Sequence, residues 1–103
     1  MKPYYSEFAR HCLRYYVKTL EEGKGGCPQF RSEAEKENWV ACHEALRGYS
    51  ERDMEIITYL CRPGDTIPDK IYHLSREMRI SQDTLWNMIN TLERNVAKER
   101  GLI

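Results

Sequence analysis

The chain lacks a net charge: 16 Lys and Arg residues stand against 16 Asp and Glu. Binding driven by phosphate neutralisation draws on a basic excess, so any affinity for nucleic acid has to come from where charges sit. A long apolar run is also missing. Nothing approaches the ~18–20 apolar residues that cross a bilayer, so no membrane partner is expected. The opening stretch MKPYYSEFARHC has charges and no apolar segment of signal-peptide length, which reads as an uncleaved, cytoplasmic chain. No segment alternates with period two over a useful length and no repeat recurs, which argues against strands and solenoids. The four cysteines, Cys12, Cys27, Cys42 and Cys61, include no Cys-x-x-Cys pair. With no secretion signal they read as reduced thiols.

Catalytic and metal-binding signatures are missing too. The pairs His11–Cys12 and Cys42–His43 suggest zinc, but adjacent residues on a helix point about 100° apart and chelate poorly. Cys12 and Cys42 fall on apolar helical faces, where a free thiol behaves as a small hydrophobe. The glycines of GKGG lack the preceding strand and the GK[ST] order of a phosphate loop. His11, His43 and His73 have no Ser or Cys partner at a catalytic spacing. Glu33, Glu35 and Glu37 crowd one helix start, where capping and solvation account for them. No enzyme activity, cofactor or metal is expected.

What is present is helical periodicity throughout, predicting an all-α fold of about five helices. The first covers about residues 4–21, with Tyr5, Phe8, Ala9, Cys12, Leu13, Tyr16 and Leu20 on its apolar stripe. EEGKGGCP then breaks the chain and reads as a flexible loop. The second opens at Ser32, which forms a capping box with Glu35, buries Trp39, Cys42, Leu46 and the following Tyr49, and closes at Gly48. The third starts from the N-cap Ser50 with Asp53 at its third position, and buries Met54, Ile57, Leu60 and Cys61. RPGD is a strong turn. The fourth covers about residues 68–78, with Ile71, Leu74 and Met78 on one face. The fifth starts after Ser81, runs to about Arg100, and buries Leu85, Met88, Ile89, Leu92 and Val96 before Gly101 ends it. One helical domain over residues 1–103 follows, made of an N-terminal pair (1–48) and a second part (49–103).

The last two helices meet the requirements of a helix-turn-helix. That device needs a short turn, a small residue where the helices approach, apolar anchors around the turn and a cap on the second helix. Leu74, Ser75, Met78, Ile80, Ser81, Leu85 and Met88 or Ile89 supply them. The departure is Arg79, which stands where the turn commonly carries Gly because φ is positive there. Arg can hold that conformation at a cost of about 1 kcal/mol. If the fifth helix reads DNA, Gln82, Asp83, Thr84, Asn87, Asn90, Thr91 and Arg94 face base edges. Asn and Gln pair bidentately with adenine, and Arg94 with guanine or a phosphate. Arg76, Arg79, Lys98 and Arg100 then face phosphates. A merely solvated polar face would look much the same, and Asp83 favours that view. From Tyr49 onward, eight basic residues stand against nine acidic ones. Trp86 reads as core rather than a stacking platform.

YSERDMEIITYL followed by IYHLSREMRISQDTLWNMINTLERNVAKERGLI resembles region 4 of sigma-70 family factors. Ser50–Ile57 and Ile71–Leu102 carry the pattern, over roughly the last half of the chain. The chain is also similar to short sigma-like proteins of phages and mobile elements. The resemblance implies a helix-turn-helix that reads promoter-like DNA or docks on RNA polymerase, in transcription regulation. The first half does not match the helices that bind the −10 element, so a complete sigma factor is not implied. The alternative is a protein-interaction or oligomerisation module that keeps the fold without reading DNA. Tyr4, Tyr5, Tyr15 and Tyr16 favour it, because tyrosine is enriched in partner surfaces and a homodimer could form through them. Equally, these tyrosines could rim a small core.

Overall fold

Four of the five helices begin on a hydroxyl side chain that accepts the backbone N–H three residues on, within the new helix's first turn. The computed structural model describes residues 2–22 and 29–103. The helices are α1 (Pro3–Glu22), α2 (Glu33–Ala45), α3 (Glu51–Cys61), α4 (Ile67–Met78) and α5 (Gln82–Glu99). The fold is all-α, with no strand among the described residues. The glycine-rich stretch expected to be a flexible loop, residues 23–28 with Cys27, lies outside the described residues.

Ser32, Ser50, Thr66 and Ser81 accept from the amides of Glu35, Asp53, Asp69 and Thr84 at 3.2, 3.1, 3.3 and 3.1 Å. An acidic residue sits in each of these four first turns, where it complements the positive end of the helix dipole. The capping box at Ser32 forms in its serine half. The Glu35 carboxylate instead accepts the Tyr15 hydroxyl from α1. α2 ends at Ala45, and the chain passes through one more turn before Gly48 reverses it at φ 86°. At the far end, Leu102 N–H reaches the Ala97 carbonyl and Gly101 N–H reaches Lys98, both at 2.9 Å. That pair of bonds is a Schellman motif, and it needs the positive φ that Gly101 adopts at 75°.

α5 runs through the middle of the molecule and packs on α1, α2 and α4, while α3 packs on α1 and α4. A single core cluster draws on all five helices, with Leu13, Ile57, Ile71, Leu85, Ile89 and Leu92 at its centre. The N-terminal pair and the last three helices therefore share one core. Leu20, assigned to the stripe of α1, lies in its last turn and stays 43% exposed, while Val17 is buried. Tyr16 is core: it is 4% exposed, and its hydroxyl meets His43 Nδ1 at 3.1 Å. Tyr16 thus offers nothing to a dimer partner, which corrects its place in the tyrosine surface. Trp39 stacks on His43 and donates its indole N–H to Thr19 at 2.8 Å.

Cys12, Cys42 and Cys61 are free and buried. Burial pushes the Cys12 thiol up to about 11 and that of Cys61 to about 12, and it raises Cys42 further. Thiols held this way are poor nucleophiles and serve as small apolar residues. Among the described residues no group of three or more His, Cys, Asp or Glu could hold a metal ion. No described helix is long and apolar enough to cross a membrane.

Candidate nucleic-acid interface

The turn between α4 and α5 is three residues long, 79–81, as the spacing of the anchors predicts. Arg79 sits at φ 56°, ψ 40°, and is the one non-glycine residue with positive φ among the described residues. The position that template geometry reserves for Gly is thus left-handed here, and an arginine holds it. The neighbouring contacts over-determine that conformation. The Ser75 hydroxyl donates to the Ile80 carbonyl across the turn. Met78 and Ile80 are half-buried against the core on either side of Arg79, and Ser81 caps α5. Strain of about 1–3 kcal/mol persists only where the surroundings impose it, and these contacts impose it.

Beyond the turn, α5 divides into two faces. Leu85, Ile89, Leu92, Glu93, Val96 and Ala97 are buried. At 3.6 residues per turn, Asp83, Asn87, Asn90, Thr91, Arg94 and Lys98 share about 100° of arc on the opposite side, and all six are exposed. Gln82 and Thr84 flank this strip in the first turn, also exposed. The Thr84 hydroxyl is partly committed, lying 2.7 Å from the Ser81 cap. Trp86 is half-buried against the core.

Arg76 in the last turn of α4 and Arg79 in the turn precede α5 in the chain, and both are exposed. Arg76 is held in place: its guanidinium lies 5.6 Å from the centre of the Tyr72 ring and donates to the Tyr72 hydroxyl at 2.9 Å. Tyr72, half of whose surface is open, was invisible as a contributor at the sequence level. The signal was its spacing, four residues before Arg76 on one helix face.

Four of the described arginines are tied up in ion pairs away from this strip, while Lys2, Arg14, Lys18, Arg31, Lys36 and Arg52 are, like the strip's cations, in none. Arg10, Arg47, Arg62 and Arg100 pair with Glu93, Glu44, Glu21 and Glu37. Among the described residues, Arg76, Arg79, Arg94 and Lys98 form no ion pair with a carboxylate. Arg100, read from sequence as a phosphate contact, is a correction. It is half-buried, donates to Asn38 at 2.6 Å and pairs with Glu37 at 3.0 Å, clamping the end of α5 to α2.

The strip is bordered on both sides. One shallow groove is lined by Ser6 of α1 with Asn90, Thr91 and Arg94. Another is lined by Tyr49 and Asp53 at the start of α3 with Thr84, Asn87 and Thr91. Beneath the first groove lies a buried ion cluster that sequence reading missed. Glu93 is fully buried, accepts the Ser6 hydroxyl at 2.7 Å and pairs with Arg10. The signal was a carboxylate inside an apolar stripe, four residues after Ile89 and three before Val96. Lys70 is the second such residue. It is 5% exposed, its ammonium donates to the Arg62 carbonyl, and burial lowers its pKa.

No family model matches the chain, and no curated protein or solved structure is significantly similar to it.

Proposed function

We propose that the chain binds duplex DNA through the exposed strip of α5, with α4, the turn and α5 working as a helix-turn-helix of the sigma region 4 kind. The carrying observation is the turn itself: three residues, through a left-handed Arg79, lead into a capped helix whose outward face is polar and exposed. Arg76, Arg79, Arg94 and Lys98, on α4, the turn and α5, have no carboxylate partner among the described residues and are free to meet phosphates. Polar side chains able to meet base edges, Asn87, Asn90 and Thr91 on the outward face of α5 with Gln82 and Thr84 in its first turn, are exposed. The left-handed Arg79 adds weight, because strain retained at an exposed residue is common at functional sites. The resemblance to region 4 makes the role one in transcription, with RNA polymerase as a protein partner.

Fluorescence anisotropy with a labelled promoter-like duplex tests this. Four phosphate contacts predict a log–log salt slope of about −3.6, so affinity falls roughly a hundredfold between 50 and 200 mM salt. An affinity indifferent to salt, or no binding at 50 mM, contradicts the proposal.

A second reading, an interaction or oligomerisation module, rests on one observation: Tyr4 is 70% exposed and stands edge-on to Tyr5 at the start of α1. Tyr5 is half-buried and Tyr15 is tied to Glu35, so the surface is smaller than four tyrosines. Recovery of a second copy of the chain without DNA, lost in Tyr4→Ala, together with no duplex binding at 50 mM salt, supports this reading.

A further inference from the structure

The spacing of charge along the strip decides which side chains can reach a base. At about 1.5 Å of rise per residue, the turn and Arg94 stand on the order of 20 Å apart. A helix reading the major groove meets base edges with its N-terminal residues. Arg94 and Lys98, in the last two turns of α5, therefore fall to the phosphate backbone, as do Arg76 and Arg79 ahead of the helix. What faces the floor between them is Asn87, Asn90 and Thr91, all exposed and all on the outward arc of α5.

Those side chains select chemically. A carboxamide presents one donor and one acceptor side by side, which matches the N7 acceptor and N6 donor of adenine. Guanine presents two acceptors, N7 and O6, and is read by a donor fork such as Arg. The strip has no Arg or Lys between Arg79 and Arg94. Asp83, the anion at the start of the strip, offers acceptors alone, which suit the N6 donor of adenine or the N4 donor of cytosine and not the guanine edge. The Thr91 methyl suits the thymine methyl group.

Resting on the reading of α5 as the DNA-binding helix, we infer that the chain selects A·T-rich duplex sites, with adenine read by Asn87 and Asn90. Arg94 is then a phosphate contact rather than a guanine reader.

In vitro selection from a random duplex pool, with the full chain and sequencing of the retained duplexes, tests the inference. The expected pool is enriched in A·T at adjacent positions. Asn87→Ala with Asn90→Ala is expected to erase the enrichment while duplex is still retained, because both residues are exposed and the phosphate contacts remain. Replacing adenine by 7-deazaadenine in a selected site is expected to weaken binding by about tenfold, through loss of the N7 acceptor. A retained pool enriched in G·C, or of unchanged composition, overturns the inference and leaves DNA binding standing. Recovery of no duplex at 50 mM salt overturns the DNA reading itself, and the inference with it.

Discussion

Arg10→Ala is expected to lower the stability of the fold by about 3 kcal/mol, a large fraction of what a domain of this size possesses. The Glu93 side chain is 1% exposed, and its two partners are the Arg10 guanidinium and the Ser6 hydroxyl. Without Arg10 the carboxylate keeps one hydrogen bond from a neutral donor in a site water does not reach. A buried charge left in that state is costly, whereas a buried pair replaced by an apolar side chain of similar volume is often neutral. Arg10→Ala combined with Glu93→Met is therefore expected to recover most of the loss. Urea denaturation measures both: the midpoint falls in the single variant and returns in the double, with the slope unchanged. A single variant within about 0.5 kcal/mol of the parent would mean that the Arg10–Glu93 pair contributes no more than a surface salt bridge. Because the Arg10 guanidinium is engaged by Glu93, its removal is expected to leave the salt slope of DNA binding intact.

Arg79→Ala together with Arg94→Ala is expected to weaken duplex binding roughly a hundredfold at low salt. Each removes one charge-assisted contact of about 1.5 kcal/mol. The slope of affinity against salt should fall in magnitude by about 1.8, since two of four phosphates are no longer neutralised. Stability moves little, because both residues are exposed and Arg79 makes no ion pair among the described residues. Anisotropy titrations of the double variant at several salt concentrations supply both numbers. Unchanged affinity and slope would show that these cations merely solvate the surface.

The helices were legible in sequence because their signals are local. Ser32, Ser50 and Ser81 cap helices through side chains that reach three residues ahead, and apolar spacing marks each buried face, while the Thr66 cap of α4 came only with the structure. The turn at Arg79 was legible for the same reason: anchors on both sides fix its length, and its length fixes the left-handed residue. What sequence reading missed comes from contacts between distant segments. Glu93 looks like one more surface carboxylate until α1 brings Ser6 and Arg10 over it. Arg100 looks like a free cation until α2 presents Glu37 and Asn38. Tyr16 looks like any tyrosine of the first helix until His43 and Trp39 close around it. The outward strip was read correctly as exposed, because the inward face of α5 is apolar and 3.6-residue periodicity leaves the rest to solvent.

Backbone amide chemical shifts followed during titration with an A·T-rich duplex report directly which face of α5 meets DNA. The expected result is a set of perturbations confined to Arg76, the turn and the outward residues of α5 from Gln82 to Lys98, with α2 unmoved. Perturbations centred on Tyr4 and Tyr5, or none at saturating duplex, would contradict it.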